Sequence, residues 1–155
     1  MRGQLKMVYE HPGNSIIFSF KPNKSEVSAF FDADDGEIYI DKKLGKINRE
    51  IVYQHENQHR KCFKSKCKCW KKKTEFLCEY HAMRAEFNFV AKNGLLVQKM
   101  YFKITIDALN KYLKNMNKIK SWKAHYQALR KVCKLKQFRF LAQKLGFWKD
   151  IERLL

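Results

Sequence analysis

No stretch of this chain approaches the roughly 18 consecutive apolar residues needed to cross a bilayer, which argues against a membrane-spanning helix. The N-terminal MRGQLKMVYEHPGNS has no apolar run of the kind that directs secretion, so a cytoplasmic protein is expected. Proline-rich and glycine-rich linkers are also missing, with only two prolines and six glycines in 155 residues, and no internal repeat is present. That length suits one globular unit with one sizeable core. Five cysteines, an odd number without paired Cys-x-x-Cys knuckles, fit a reducing compartment better than a disulfide framework.

Acidic residues are scarce only in parts of the chain. Residues 1–59 carry 8 Lys/Arg against 9 Asp/Glu, whereas residues 60–73, RKCFKSKCKCWKKK, carry 8 bases and no acid. Residues 99–155 carry 15 bases against 3 acids, so most of the net charge of +18 sits in one tract and the last third. Such asymmetry points to a polyanionic partner, nucleic acid first, and a merely solvated basic face is the alternative. Lys64, Lys66, Lys71 and Lys72 are the candidate phosphate contacts. Trp70, Trp122, Tyr126, Phe138, Phe140, Phe147 and Trp148 lie among the bases, where they either stack on bases of nucleic acid or, as aromatics at helical spacing usually do, fill a core.

The pattern predicts an α+β fold with a small antiparallel sheet first. SIIFSFKP and VSAFFDADDGEIYID read as strands, the second segment turning at Asp34, Asp35 and Gly36. Asn48 then caps a helix bearing Ile51, Val52, His55, Glu56 and His59 on neighbouring parts of one face. Residues 60–73 read as a loop, Thr74 caps a second helix to about Asn93, and Gly94 stops it. Three further helical segments follow, with Ser121 as a cap and Gly146 as a break. Residues 1–94 form the expected core and residues 95–155 a basic helical extension packed on it.

His55-Glu56-Asn57-Gln58-His59 sets two imidazoles one helical turn apart, where both can bind one zinc ion, with a glutamate placed to act as general base. A third ligand can come from the following helix, where Glu79 and Glu86 share a face. Ala82, one turn beyond Glu79, would let the two helices approach closely. Cys62, Cys67, Cys69 and Cys78 are either ordinary reduced cysteines, a second, structural metal site, or a redox-sensitive pair whose thiol pKa the neighbouring lysines lower. Tyr80, His81, His125 and Tyr126 are the candidate donors to a developing oxyanion.

The run IYIDKKLGKINREIVYQHENQH resembles the strand, arginine-containing helix start and zinc helix of the ImmA/IrrE-type metallopeptidases, compact relatives of the gluzincins. EYHAMRAEF is similar to their second-helix motif, and the likeness covers about residues 36–92. It implies that His55, His59 and Glu79 bind zinc, with Glu86 as the alternative third ligand, and that Glu56 is the base. It also implies a zinc metalloprotease acting on a specific intracellular protein such as a DNA-bound regulator. A nucleic-acid-binding protein with a structural or vestigial zinc site is the rival reading.

Overall fold

The computed structural model describes residues 5–11, 14–20, 29–71, 74–118 and 120–155, and the side chains of residues 29–69, 74–118 and 121–155. Among the described residues four strands come first: β1 (Leu5–His11), β2 (Asn14–Phe20), β3 (Ala29–Asp32) and β4 (Glu37–Ile40). They form one sheet in the order β1-β2-β4-β3. The β1–β2 and β3–β4 pairs are antiparallel, and β2 and β4 join them through a short parallel pairing, Ile16 and Ile17 against Ile38 and Tyr39.

The β3–β4 turn follows from its residues. The Asp32 and Asp35 carboxylates accept the main-chain N–H groups of Asp34 and Glu37 at 2.9 and 2.8 Å, and Gly36 takes the left-handed conformation at φ 75°. Across the hairpin Phe30 stacks on its partner Tyr39, ring centroids 4.9 Å apart.

Seven helices follow among the described residues: α1 (Lys46–Lys64), α2 (Lys68–Lys71), α3 (Glu75–Ala91), α4 (Leu95–Asn115), α5 (Lys120–Cys133), α6 (Lys136–Lys144) and α7 (Trp148–Glu152). The fold is therefore α+β with little sheet. Several boundaries differ from those the sequence suggests. Asp41 closes a turn after β4, accepting from Lys43 N–H on its carboxylate at 2.9 Å and from Leu44 N–H on its carbonyl at 3.2 Å. The chain consequently enters α1 early, with Gly45 at the N-cap and Asn48 inside the first turn. Thr74 does occupy the N-cap of α3, without a side-chain capping bond, and Gly94 is the N-cap of α4. Ser121 lies within α5 rather than capping it.

The expected loop at residues 60–73 is mostly helical in its described part. Lysines favour helix well enough to carry α1 on, and buried Arg60 donates to Tyr53 Oη at 3.2 Å and Asn57 Oδ1 at 2.9 Å. Only Ser65–Cys67 separate α1 from α2. Gly146, at φ 82°, does break the last segment between α6 and α7.

α1 lies between the sheet and α3. Tyr53 packs with Ile38 and Ile40 on its sheet side, while Ile51 joins the main core. That core runs through Tyr80, Met83, Phe87 and Val90 of α3, Phe102 and Leu109 of α4, Leu129 and Val132 of α5, and Phe138, Ala142 and Ile151 beyond. It crosses residue 94 without interruption, so the C-terminal helices are part of the same core. Among the described residues no helix is long and apolar enough to cross a membrane.

Candidate metal centre

His55 and His59 lie one turn apart on α1, and both turn towards α3, which approaches closely where fully buried Ala82 presents only a methyl group. Glu79 of α3 reaches between them. Its Oε2 is 3.0 Å from His55 Nε2, its Oε1 is 3.1 Å from His59 Nε2, and the two nitrogens are 3.2 Å apart. Ligand atoms held tetrahedrally by one zinc ion at about 2.0–2.1 Å would lie roughly 3.3 Å from one another. The three side chains thus already converge at the spacing of a shared cation. Buried Glu79 Oε2, moreover, lacks the alignment of a hydrogen bond despite its short ion-pair distance. The donor set fits a metal ion.

Electrostatics follow from this crowding. Burial by itself would lower the His55 pKa, but the Glu79 and Glu86 carboxylates overcome it and raise it well above the ordinary value. Burial would raise the Glu79 pKa, and the two imidazoles instead hold it well below the usual carboxylate range. A cation in the same place would replace the proton shared by these groups.

Glu56 stands beside the triad, its Oε1 4.0 Å from His55 Nε2. It is buried, and the Phe31 main-chain N–H of β3 bonds to it. Burial raises its pKa, an effect that His55 and His59 offset only in part. A carboxylate whose pKa is shifted towards neutrality is a better proton acceptor and donor near pH 7.

Glu86 is placed differently from a third ligand. Its Oε1 is 3.2 Å from His55 Nδ1, the nitrogen that does not face Glu79. Of the four candidate oxyanion donors, only His125 reaches the triad. It projects from α5 with Nε2 3.5 Å from Glu79 Oε2, and Nδ1 bonded to the Ser121 carbonyl oxygen at 2.7 Å. Tyr126 donates to the Leu154 carbonyl oxygen at 2.8 Å, and Tyr80 lies beside Arg84 and under Lys131. A cavity of about 290 Å³ opens beside His55, lined by Leu44, Val52, Ile104, Ala108 and Tyr112 among others. Tyr112 was not anticipated from the sequence. Its ring centroid lies 5.7 Å from that of His125, and burial, with Glu86 and Glu79 nearby, pushes its pKa up.

Four of the cysteines gather where α1, α2 and α3 meet, with Cys62 on α1, Cys67 before α2, Cys69 on α2 and Cys78 on α3. Cys62, Cys67, Cys69 and His81 offer ligand atoms within 4.8 Å of one another, an arrangement able to hold a metal ion. His81 thus belongs to the cysteines and is removed from the oxyanion candidates. Cys78 hydrogen-bonds with Cys69 and stands outside that group of four. Cys69 is not activated as the neighbouring lysines suggest. Burial pushes Cys62 up to about 11 and Cys69 up to about 12.

Of the proposed phosphate contacts, Lys64 and Lys66 are exposed, the side chain of Lys71 is outside the described residues, and so is all of Lys72. Trp70's side chain is likewise outside them. Phe138 and Tyr126 are core residues, Phe147 and Trp148 pack against the core, and Trp122 packs edge-on against Tyr112. Phe140 alone of the described aromatics in that set is exposed, at 68%. No protein-family model, no curated protein and no solved structure matches this chain, so its chemistry has to be read from these side chains.

Proposed function

We propose that the protein is a zinc-dependent peptidase, with His55, His59 and Glu79 as metal ligands and Glu56 as general base. The observation that carries this reading is the convergence of three ligand side chains, whose closest nitrogen and oxygen atoms lie 3.0–3.2 Å apart pair by pair, with a buried carboxylate beside them. Zinc held there would polarise a scissile carbonyl and make water a stronger acid. Glu56 would accept the proton of the attacking water and return it to the leaving amine, a role its raised pKa suits. Phe31 N–H keeps that carboxylate in place. His125, when protonated, would direct Nε2–H towards negative charge developing on the substrate oxygen, because its Nδ1 is already engaged by Ser121. The neighbouring cavity suits an apolar substrate side chain.

The likeness to ImmA/IrrE-type peptidases belongs to the same proposal, as does a substrate class of DNA-associated regulatory proteins in the cytoplasm. Support for the latter is the exposed positive charge of α4–α6, including Lys103, Lys114, Lys123, Arg130, Lys134, Lys136 and Arg139. Glu56→Gln tests the reading. It should keep the metal and the fold while lowering hydrolysis of peptide substrates by at least about 100-fold. Undiminished turnover would remove Glu56 from the mechanism. The rival, a nucleic-acid-binding module, is favoured if the wild-type protein binds DNA or RNA and neither it nor the variant cleaves any peptide.

A further inference from the structure

We propose that Cys62, Cys67, Cys69 and His81 form a second zinc site, structural and separate from the histidine–glutamate centre. Its basis is geometric. His81 Nδ1 is 3.9 Å from Cys62 Sγ and 3.9 Å from Cys67 Sγ, and Cys69 Sγ is 3.2 Å from Cys67 Sγ. Sulfur and nitrogen ligands on a tetrahedral zinc ion, at about 2.3 and 2.0–2.1 Å, lie roughly 3.6 Å apart, and two sulfurs roughly 3.8 Å. Small side-chain adjustments therefore close the site. The described cysteines form no disulfide, and three thiolates with one imidazole are a soft, complete tetrahedral set that selects zinc and leaves no position for water.

The backbone between the ligands is shaped for this closure. Cys62 lies in the last turn of α1, Cys67 just before α2, Cys69 on α2 and His81 on α3, so four ligands draw three helices together. Between them Cys67 N–H donates to the Cys62 carbonyl oxygen at 2.9 Å, and Lys66 takes a left-handed conformation at φ 51°, rare for a residue with a side chain. A tie at this point fixes α1 against α3. Those two helices hold His55 and His59 on one side and Glu79 on the other, so the second zinc would set the spacing of the first centre's ligands. Binding releases the three thiol protons to solvent.

This site stands whether or not the protein hydrolyses peptides, and its test reads metal rather than activity. Chelator-stripped full-length protein, kept reduced, is titrated with Co(II) and then with zinc. Two equivalents should bind, one of them giving the intense near-ultraviolet absorption of thiolate-to-Co(II) charge transfer, which zinc then displaces. Cys67→Ser and His81→Ala should each weaken that component at least about 10-fold, Cys78→Ser should leave it, and His55→Ala with His59→Ala should remove only the other equivalent. No charge-transfer absorption in the wild-type protein overturns the proposal without recourse to any variant. Absorption that survives His81→Ala unchanged and disappears in Cys78→Ser would overturn the assignment of His81.

Discussion

Glu86 Oε1 sits 3.2 Å from His55 Nδ1, while Glu79 Oε2 holds the opposite nitrogen, Nε2, at 3.0 Å. The imidazole is gripped from both sides by one helix. If Nδ1 carries the proton donated to Glu86, Nε2 keeps its lone pair for a metal, and the ring cannot rotate away. Glu86→Gln should therefore lower zinc affinity at the histidine–glutamate centre by about 10- to 100-fold, the usual effect of removing such a partner. Competition with a fluorescent chelator measures it. Unchanged affinity would reduce Glu86 to a bystander.

His125→Gln separates binding from chemistry. The side chain is 3.5 Å from Glu79 but is not one of the three converging ligand donors, so zinc content should stay the same. Loss of an oxyanion donor should lower kcat/KM for a cleavable peptide by about 100-fold. Steady-state kinetics beside metal analysis decides it, and loss of zinc instead would place His125 among the ligands.

Much of this centre is legible in the sequence because it depends on local geometry. The spacing of His55 and His59 is one turn of α1, and Glu79 and Glu86 share a face of α3 for the same reason. The Asp34-Asp35-Gly36 turn and the break at Gly146 follow equally from local conformational preference. What tertiary packing decides is hidden. Cys78 and His81 are three apart on one helix and equally eligible beside Cys62, until the seating of α3 on α1 selects His81. His125 reaches Glu79 only because α5 packs against α3, and nothing in its neighbours' types announces that. β1 spans seven residues, but Val8 interrupts the alternation of Leu5, Met7 and Tyr9 with polar neighbours and leaves no clean strand period.

Phe138→Ala tests whether the C-terminal helices share one cooperative core with the metal centre. Phe138 is fully buried, with ring centroids 5.3 Å from Phe87 of α3 and 5.2 Å from Phe102 of α4. Truncation should cost about 3–5 kcal/mol of unfolding free energy. Denaturant unfolding followed both by helix signal and by zinc release should shift as one transition. Two separate transitions would divide the chain near residue 94.

The basic surface carries its own prediction. If the exposed lysines and arginines neutralise several phosphates, affinity for DNA or RNA should fall about 10³-fold or more between about 50 and 200 mM salt. Reversing Lys64, Lys66, Lys71 and Lys72 to glutamate should weaken binding and leave short-peptide hydrolysis intact. Fluorescence anisotropy with a labelled duplex shows both effects, and no binding even at low salt would leave these residues as a solvated face.

Anomalous diffraction at the zinc absorption edge shows whether His55, His59 and Glu79 hold a metal ion. Crystals of the zinc-loaded protein should show an anomalous peak about 2 Å from His55 Nε2, His59 Nε2 and a Glu79 carboxylate oxygen. A zinc-replete crystal with no peak among those three atoms would contradict the account.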